Sequence, residues 1–182
     1  FRSLRNSRML KVIIAVLFVS QISAISVQDC GSQSIKLIKF ATSDNKVRSN
    51  SILELTSHFD ILNEIDSPVN LELVVKRKVW FAWVKVPCVS QLGSCTFENG
   101  CEKLREVIAG KDCPPGLVES GISCSCPLKE GSVRLDNHPI QFPDLGGIFG
   151  ALATGNYQVR AKLVNPITGQ VHVCVNVEAE VV

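Results

Sequence analysis

Cysteines constrain this chain more than any other residue type. All eight lie between positions 30 and 174, and an even number in an exported chain predicts four disulfides, although eight cysteines allow on the order of a hundred pairings. Six fall between Cys88 and Cys126, while Cys30 and Cys174 lie near the two ends. A bridge between these two would close nearly the whole domain, where the chain-entropy model predicts the largest gain. We disfavour zinc, because no second C-x-x-C or Cys/His set follows the Cys124–Cys126 pair.

The N-terminal segment has the layout of a secretory signal peptide. From Met9 the chain carries a positive charge at Lys11, an apolar core over residues 12–19 and a small-x-small A-I-S sequence. That core is too short to span a bilayer. We therefore predict a leader over residues 1–26, made of extra N-terminal residues and the signal peptide, and one exported domain over residues 27–182.

The leader accounts for the alkaline balance of the sequence. Four of the 19 basic residues lie in it and none of the 17 acidic residues does, so the predicted domain carries 15 basic against 17 acidic side chains. The formal charge then falls from +2 to −2. A weakly acidic domain gives no support to nucleic-acid binding.

Strand-like alternation dominates the remainder of the chain. Apolar residues alternate with polar ones over 171–181 and 157–164, and the N-P-I-T-G sequence between them has the composition of a hairpin turn. Further stripes run over 53–61 and 71–75, and weaker strands are expected at S-I-K-L-I-K-F and S-V-R-L. The sequence therefore predicts an antiparallel, mainly β domain.

One segment has helical spacing instead. Phe97, Cys101, Leu104 and Ile108 recur at intervals of three to four residues, with charged side chains between them and Gly110 as a stop signal. We predict one short helix held by disulfides within residues 96–110.

Catalytic patterns are absent from the sequence. His138 precedes a proline, His58 adjoins an aromatic residue, and His172 lies on the polar face of the last predicted strand, where we expect it to be solvated. None of them accompanies a nucleophile motif, and neither phosphate-binding nor dinucleotide-binding glycine motifs occur. We expect a protein that is not an enzyme, with no catalytic residues, no metal and no cofactor other than a ligand.

Two apolar stretches fit poorly into a half-buried strand pattern. The first places two tryptophans and a phenylalanine within four residues, and the second sets apolar residues among glycines. Either both complete the core, or they contact a lipid interface or line the mouth of an apolar pocket. The residues concerned are Val79, Trp80, Phe81, Ala82 and Trp83 in the first stretch and Gly147, Ile148, Phe149, Ala151 and Leu152 in the second.

Three long segments resemble the ganglioside activators, a lipid-recognition β-cup family of cofactors for lysosomal β-hexosaminidase. They read VKVPCVSQLGSCTFENGCEKL, CPPGLVESGISCSCPLKEGSVRL and FPDLGGIFGALATGNYQVRAKL. The resemblance runs in register from residue 84 to residue 163 and includes the six central cysteines, whereas between residues 30 and 76 only the strand pattern and the first cysteine agree.

The resemblance implies an antiparallel sandwich opened into a cup around an apolar lipid cavity. It implies the disulfides Cys30–Cys174, Cys88–Cys95, Cys101–Cys126 and Cys113–Cys124, and it makes the two apolar stretches membrane-contacting rim loops. The apolar faces of the predicted strands would line the cavity. The candidates are Leu53, Leu55, Phe59, Leu73, Val75, Tyr157, Val159, Val173 and Val175.

The function implied is extraction of a glycosphingolipid from membranes and its presentation to a β-hexosaminidase-like glycosidase, in the lysosomal lumen or after secretion. Two departures leave the ligand open: Phe149 stands where relatives tend to have tryptophan, and no N-x-[ST] sequon follows the leader. One alternative is a secreted carrier of phospholipid, sterol or another hydrophobic ligand. A second is a disulfide-rich interaction module without a cavity, in which Trp80 and Trp83 are buried.

Overall fold

Strands make up nearly all of the regular structure. The computed structural model describes residues 25–66, 68–102, 118–119, 126–142 and 154–182. Within these ranges nine strands form two antiparallel sheets, which confirms the predicted mainly β sandwich. The strands are β1 (Ser26–Asp29), β2 (Ile35–Thr42), β3 (Ile52–Ile61), β4 (Asn70–Val79), β5 (Ala82–Lys85), β6 (Thr96–Phe97), β7 (Gly131–Gln141), β8 (Gly155–Val164) and β9 (Val171–Val181).

The first sheet has one apolar and one polar face. Its strand order is β1-β9-β8-β4-β5, with β6 paired to the beginning of β4. Successive side chains of a strand point to opposite faces, and the register places Val75, Val159 and Val177 side by side on β4, β8 and β9. The neighbouring row on the other face is polar and charged. The alternation in the sequence therefore predicted β8 and β9 and which of their residues share a face.

The turn between β8 and β9 confirms the predicted hairpin. The Asn165 side chain accepts hydrogen bonds from the backbone N–H groups of Ile167 and Thr168, at 2.9 and 3.1 Å. Gly169 has φ +73°, a left-handed conformation that glycine adopts at low cost. Its N–H donates to the carbonyl of Asn165 at 2.9 Å, which closes the turn.

The second sheet has the order β2-β3-β7. Leu37, Phe59 and Val133 are neighbours across its three strands. Its register shifts on β3 next to Thr56, whose hydroxyl accepts a hydrogen bond from the N–H of Asn137 at 3.2 Å. The alternation predicted over residues 53–61 places Thr56 on the polar face of the strand. Because of the register shift, Thr56 is buried instead.

The two sheets meet in a core at one end of the sandwich. Ile65, Val69 and Leu163 are buried together, and a second cluster forms around Ile61 and Val133. Both clusters contact Ile35 of β2 and Leu128. Residues 65 and 128 also exchange two backbone hydrogen bonds of 2.9 Å. The segments that carry these two residues are therefore held together by backbone pairing as well as by the apolar clusters.

Disulfides tie the peripheral segments to the sheets. The structure contains Cys30–Cys174, Cys88–Cys95 and Cys101–Cys126, and these pairings are confirmed. The predicted Cys113–Cys124 bridge lies outside the described residues. Ser32 supports the first bridge, because its hydroxyl donates to the Cys174 carbonyl at 3.1 Å and accepts from the Cys174 N–H at 2.8 Å.

The predicted helix is wrong at its first residues. Phe97 belongs to β6, where it pairs with Leu71 of β4. A helical turn occupies residues 100–102, and the remainder of the predicted helix lies outside the described residues. Gly100 is buried against β4, and a Cβ atom there would lie 2.8 Å from the Leu71 nitrogen. Helical spacing missed this strand because the pairing with β4 is a long-range contact.

The expectation for His172 is also wrong. Its side chain is only 6% exposed, and Nδ1 lies 3.0 Å from the hydroxyl of Ser34, which is fully buried. Backbone bonds hold the two segments together, since the Ser34 N–H donates to the His172 carbonyl at 2.9 Å. Nε2 has no hydrogen-bond partner among the described residues. The segment before β2 therefore covers a position that the local pattern marks as solvated.

Acid should weaken the fold through His172. Burial lowers the pKa of His172 from its ordinary value of 6.5. Below about pH 6.5 the unfolded chain binds a proton that the native chain resists, so the free energy of unfolding falls until the lower native pKa is reached. We expect a loss of up to about 1.4 kcal/mol per pH unit in that window. Urea unfolding between pH 7.5 and 5 should show a shallower loss for His172→Gln, and parallel pH profiles would contradict the assignment.

Removal of the Cys30–Cys174 disulfide, the terminal bridge, should lower the free energy of unfolding more than any single surface substitution. Cys30 and Cys174 are 144 residues apart in sequence, so their bridge restricts nearly the whole unfolded chain. We expect the double variant C30S/C174S to lose on the order of 2–5 kcal/mol in urea unfolding. The variant C88S/C95S is the matched control, because its bridge spans only seven residues. An equal loss in both variants would contradict a role for loop length.

Candidate functional site

The β4–β5 hairpin ends in two exposed aromatic side chains. Val79 pairs with Ala82, so Trp80 and Phe81 alone form the turn. Trp80 is 88% exposed and Phe81 is 89% exposed. Trp80 also has φ +58°, a conformation that bulky residues rarely adopt. We call these two residues the aromatic tip.

The remaining hairpin residues explain why apolar side chains occupy both faces. Trp83 is 36% exposed and pairs with Lys78 on the polar face of the first sheet. Val84 pairs with Arg77 on the apolar face. The crowded aromatics therefore belong to a turn and to the strand that leaves it. The second alternative function, an interaction module without a cavity, predicts that Trp80 and Trp83 are buried. The exposure of Trp80 contradicts that prediction.

Positive charge surrounds the aromatic tip. Residues 73–97 contain four basic side chains and no acidic one. Lys76 and Lys85 lie directly opposite each other on β4 and β5, an arrangement that is unfavourable without a nearby anion. None of the ion pairs in the described chain involves these two lysines or Lys78. An anionic surface would relieve this repulsion.

The apolar face of the first sheet is left half-buried beyond the core. Among the cavity candidates on this sheet, the half-buried residues are Leu73, Val75, Tyr157, Val159, Val173 and Val175. On the second sheet Leu55 and Phe59 are half-buried too, whereas Leu53 is buried. Phe59 packs against the core cluster around Ile61, and Val173 against the one around Leu163. The candidates thus lie on strands of both sheets.

A shallow groove of about 210 Å³ crosses the other, polar face of the first sheet. Its side chains bond to one another: Arg160 Nε donates to Asn176 Oδ1 at 2.9 Å, and Gln158 Nε2 donates to Glu178 Oε1 at 2.7 Å. A groove of this polarity does not suit an acyl chain. Its lining residues are Ser26, Gln28, Val74, Lys76, Gln158, Val159, Arg160, Asn176, Val177 and Glu178.

Where the structure describes the chain, the other titratable groups form no recognisable reaction centre. His58 Nε2 lies 2.8 Å from Asp136 Oδ1, and nearby Ser132 donates to Asp60 rather than to the histidine. His138 is half-buried on β7. In the described ranges, no group of His, Cys, Asp or Glu side chains is placed to bind a metal ion. Nor does any helix there have the length and hydropathy of a membrane span.

Part of the predicted site lies outside the described residues. This applies to the whole second apolar stretch, namely Gly147, Ile148, Phe149, Ala151 and Leu152. The predicted leader also lies outside them up to residue 24, and its last residue, Ser26, begins β1.

Sequence reasoning missed an apolar feature beside the hairpin. The loop closed by Cys88–Cys95 exposes Val89 by 60% and Leu92 by 69%. Ser90 and Gln91 between them both have positive φ, as in a tight hairpin turn. Such turns are usually recognised by Asn-Gly or Gly-Gly, whereas Ser90 and Gln91 occupy this one, so no local signal marked the loop.

Two ganglioside GM2 activators are among the relatives. The protein of Mus musculus is 42% identical over 100 residues, which are 54% of this chain and 51% of the relative. That of Macaca fascicularis is 39% identical over 102 residues, 56% of this chain and 53% of the relative. The chain thus spans about half the length of the curated relatives that it matches.

Solved structures resemble this chain only loosely. A Niemann-Pick type C2 protein from the Japanese carpenter ant has a TM-score of 0.43 and 16% identity, over 86% of this chain and 99% of that one. Chicken MD-1 complexed with lipid IVa has a TM-score of 0.39 and 14% identity, over 85% and 96%. The family profile of the ML domain, in contrast, matches residues 24–181. This protein therefore belongs to the ML domain family.

Proposed function

We propose that this protein is a non-enzymatic lipid-binding and transfer protein. It takes a glycosphingolipid from a membrane and presents it to a lysosomal glycosidase of the β-hexosaminidase type, which performs the chemistry. The proposal rests most on one observation: an apolar sheet face stays half-buried directly behind an exposed aromatic turn.

The half-buried face supports the binding of acyl chains. Each CH₂ group removed from water contributes about 0.8 kcal/mol, for lipid and protein surface alike. Val75, Val159 and Val177 form a continuous row that neighbouring side chains do not fully cover. A lipid chain against this row would complete the burial that the core provides at the other end of the sandwich.

The aromatic tip supports contact with the membrane that supplies the lipid. Tryptophan favours the interface between headgroups and acyl chains. Lysines near an anionic surface add about 1 kcal/mol each. Trp80 and Phe81 would enter the interface while Lys76, Lys78 and Lys85 remain among the headgroups. Lipid could then pass between bilayer and protein without crossing water.

The likeness to two ganglioside GM2 activators supports the glycosphingolipid and the glycosidase in this proposal. Three disulfides support an oxidising compartment, either the lysosomal lumen or the extracellular space. Because the relatives match over only half of their length, a secreted carrier of phospholipid, sterol or another hydrophobic ligand is the second candidate.

Native mass spectrometry of the secreted, disulfide-intact protein tests the function, followed by extraction of bound lipid. A co-purifying glycosphingolipid, and faster hydrolysis of that lipid by added β-hexosaminidase at acidic pH, would support the activator role. A phospholipid, fatty acid or sterol would support the carrier instead. A protein that carries nothing and takes nothing from mixed liposomes would overturn both.

Polar substitution of the aromatic tip should impair membrane binding. Full burial of one such side chain contributes about 1.5–3 kcal/mol, so W80S/F81S should weaken binding to anionic liposomes at least about tenfold. The fold should be unaffected, because both side chains are exposed. Flotation with liposomes of phosphatidylcholine and phosphatidylglycerol measures the effect.

The matched control is V89S/L92S, which removes two exposed apolar side chains from the neighbouring disulfide loop. We expect this variant to bind liposomes within about twofold of the unmodified protein. Equal loss in both variants would show that general surface hydrophobicity drives binding, and no loss in W80S/F81S would exclude the tip from membrane contact.

A further inference from the structure

Arg77 is a positive charge on the apolar face of the first sheet. It alternates along β4 with Val75 and Val79, two residues from the end of the strand. Its cross-strand neighbours are Tyr157 on β8 and Val84 on β5. The flanking residues Lys76 and Lys78 belong to the opposite face, so only Arg77 of this basic triplet lies on the face to which we assign lipid binding.

The guanidinium of Arg77 is held on one side by the protein, and the residue as a whole is half-buried. Nη2 donates to the carbonyl of Thr154 at 2.8 Å. The group also lies against the backbone of Gly155, where an added Cβ would be 3.3 Å from Nε and 3.9 Å from Cζ. Nε is buried and has no acceptor within the described ranges. A surface arginine would normally keep these donors in water.

Among the described residues, the charge of Arg77 has no counter-ion. No acidic side chain of the described chain forms an ion pair with it, and the nearest charged residues in sequence are lysines. A desolvated cation is costly unless an anion accompanies it. A planar guanidinium with unused N–H donors pairs best with a carboxylate, sulfate or phosphate, through two parallel hydrogen bonds.

We propose that Arg77 is a headgroup-binding residue that makes this protein prefer anionic over uncharged amphiphiles. The inference rests on the proposed lipid-binding function. Arg77 lies two residues after Val75 on β4, which is about 7 Å nearer the aromatic tip. If the acyl chains of a lipid lie along Val75 and Val159, the first polar group of that lipid would lie at the level of Arg77. An oxyanion there would supply the missing counter-charge and accept the unused hydrogen bonds.

Matched lipids that differ in one charge test this inference. Sulfatide and galactosylceramide with identical chains differ only in a sulfate, and a fatty acid and its alcohol differ only at the chain end. Affinities are measured at pH 7.5 by displacement of an uncharged fluorescent fatty alcohol. The proteins are the unmodified chain, Arg77→Gln, Arg77→Lys and Arg160→Gln, the last being the same substitution on the polar face of the same sheet.

We expect the unmodified protein to prefer the anionic member of at least one pair by about tenfold or more. Arg77→Gln should reduce that preference to within about twofold, with the affinity for the uncharged member preserved. Arg160→Gln should keep the preference. Arg77→Lys should retain only part of it, because an ammonium group lacks the paired donors. This variant also tests the inference if Arg77→Gln does not fold.

The two lipid pairs locate the oxyanion. A preference in the sulfated pair alone would place the bound oxyanion on the headgroup sugar. A preference in both pairs would show that Arg77 also binds a carboxylate at the end of an acyl chain.

Equal affinity for both members of each pair in the unmodified protein would overturn the inference. So would a preference that survives in Arg77→Gln, or one lost to the same extent in Arg160→Gln, since general electrostatics would then suffice. In each of these cases lipid binding itself persists. Failure to bind any of the four lipids would instead remove the proposed function.

Discussion

An apolar sheet face without a complete cover is the constraint on which this structure depends. Alternation on β4, β8 and β9 produces a wide row of valines that must leave water. At one end, Ile65, Val69 and Leu163 pack against the second sheet and satisfy that requirement. Toward the β4–β5 hairpin the row remains half-buried. The fold therefore retains apolar surface that a lipid chain could cover.

A sandwich whose first sheet keeps a half-buried apolar face needs other sources of stability. Disulfides supply part of it: the terminal bridge joins the segment after β1 to β9, and two shorter bridges restrain the central part of the chain. Such cross-links stabilise chiefly by restricting the unfolded chain, so they do not require the space between the sheets to be filled. The buried Ser34–His172 contact adds a polar junction beside the terminal bridge, and this junction makes stability sensitive to acid.

Local pattern predicted those parts of the fold in which neighbours in sequence are neighbours in space. The β8–β9 hairpin is an example, because its turn and both of its strands are continuous. Phe97 and His172 were misassigned for the opposite reason, since β4 and the segment before β2 decide their environments. In the candidate site, the crowding of Trp80, Phe81 and Trp83 was an informative signal. Arg77 was hidden, because a run of three basic residues does not reveal which one lies on the apolar face.

The sequence by itself determined the strand pattern, the family and the unusual placement of the aromatic residues, because alternation, cysteine spacing and motif order are local properties of the chain. Only the tertiary structure decided that Trp80 and Phe81 form a turn, that the valine row stays half-buried, and that no acidic side chain in the described part of the chain pairs with Arg77. These are properties of strand register and of which segments cover which face. Register and cover depend on contacts between residues far apart in sequence, such as β4 with β8 and residue 34 with residue 172.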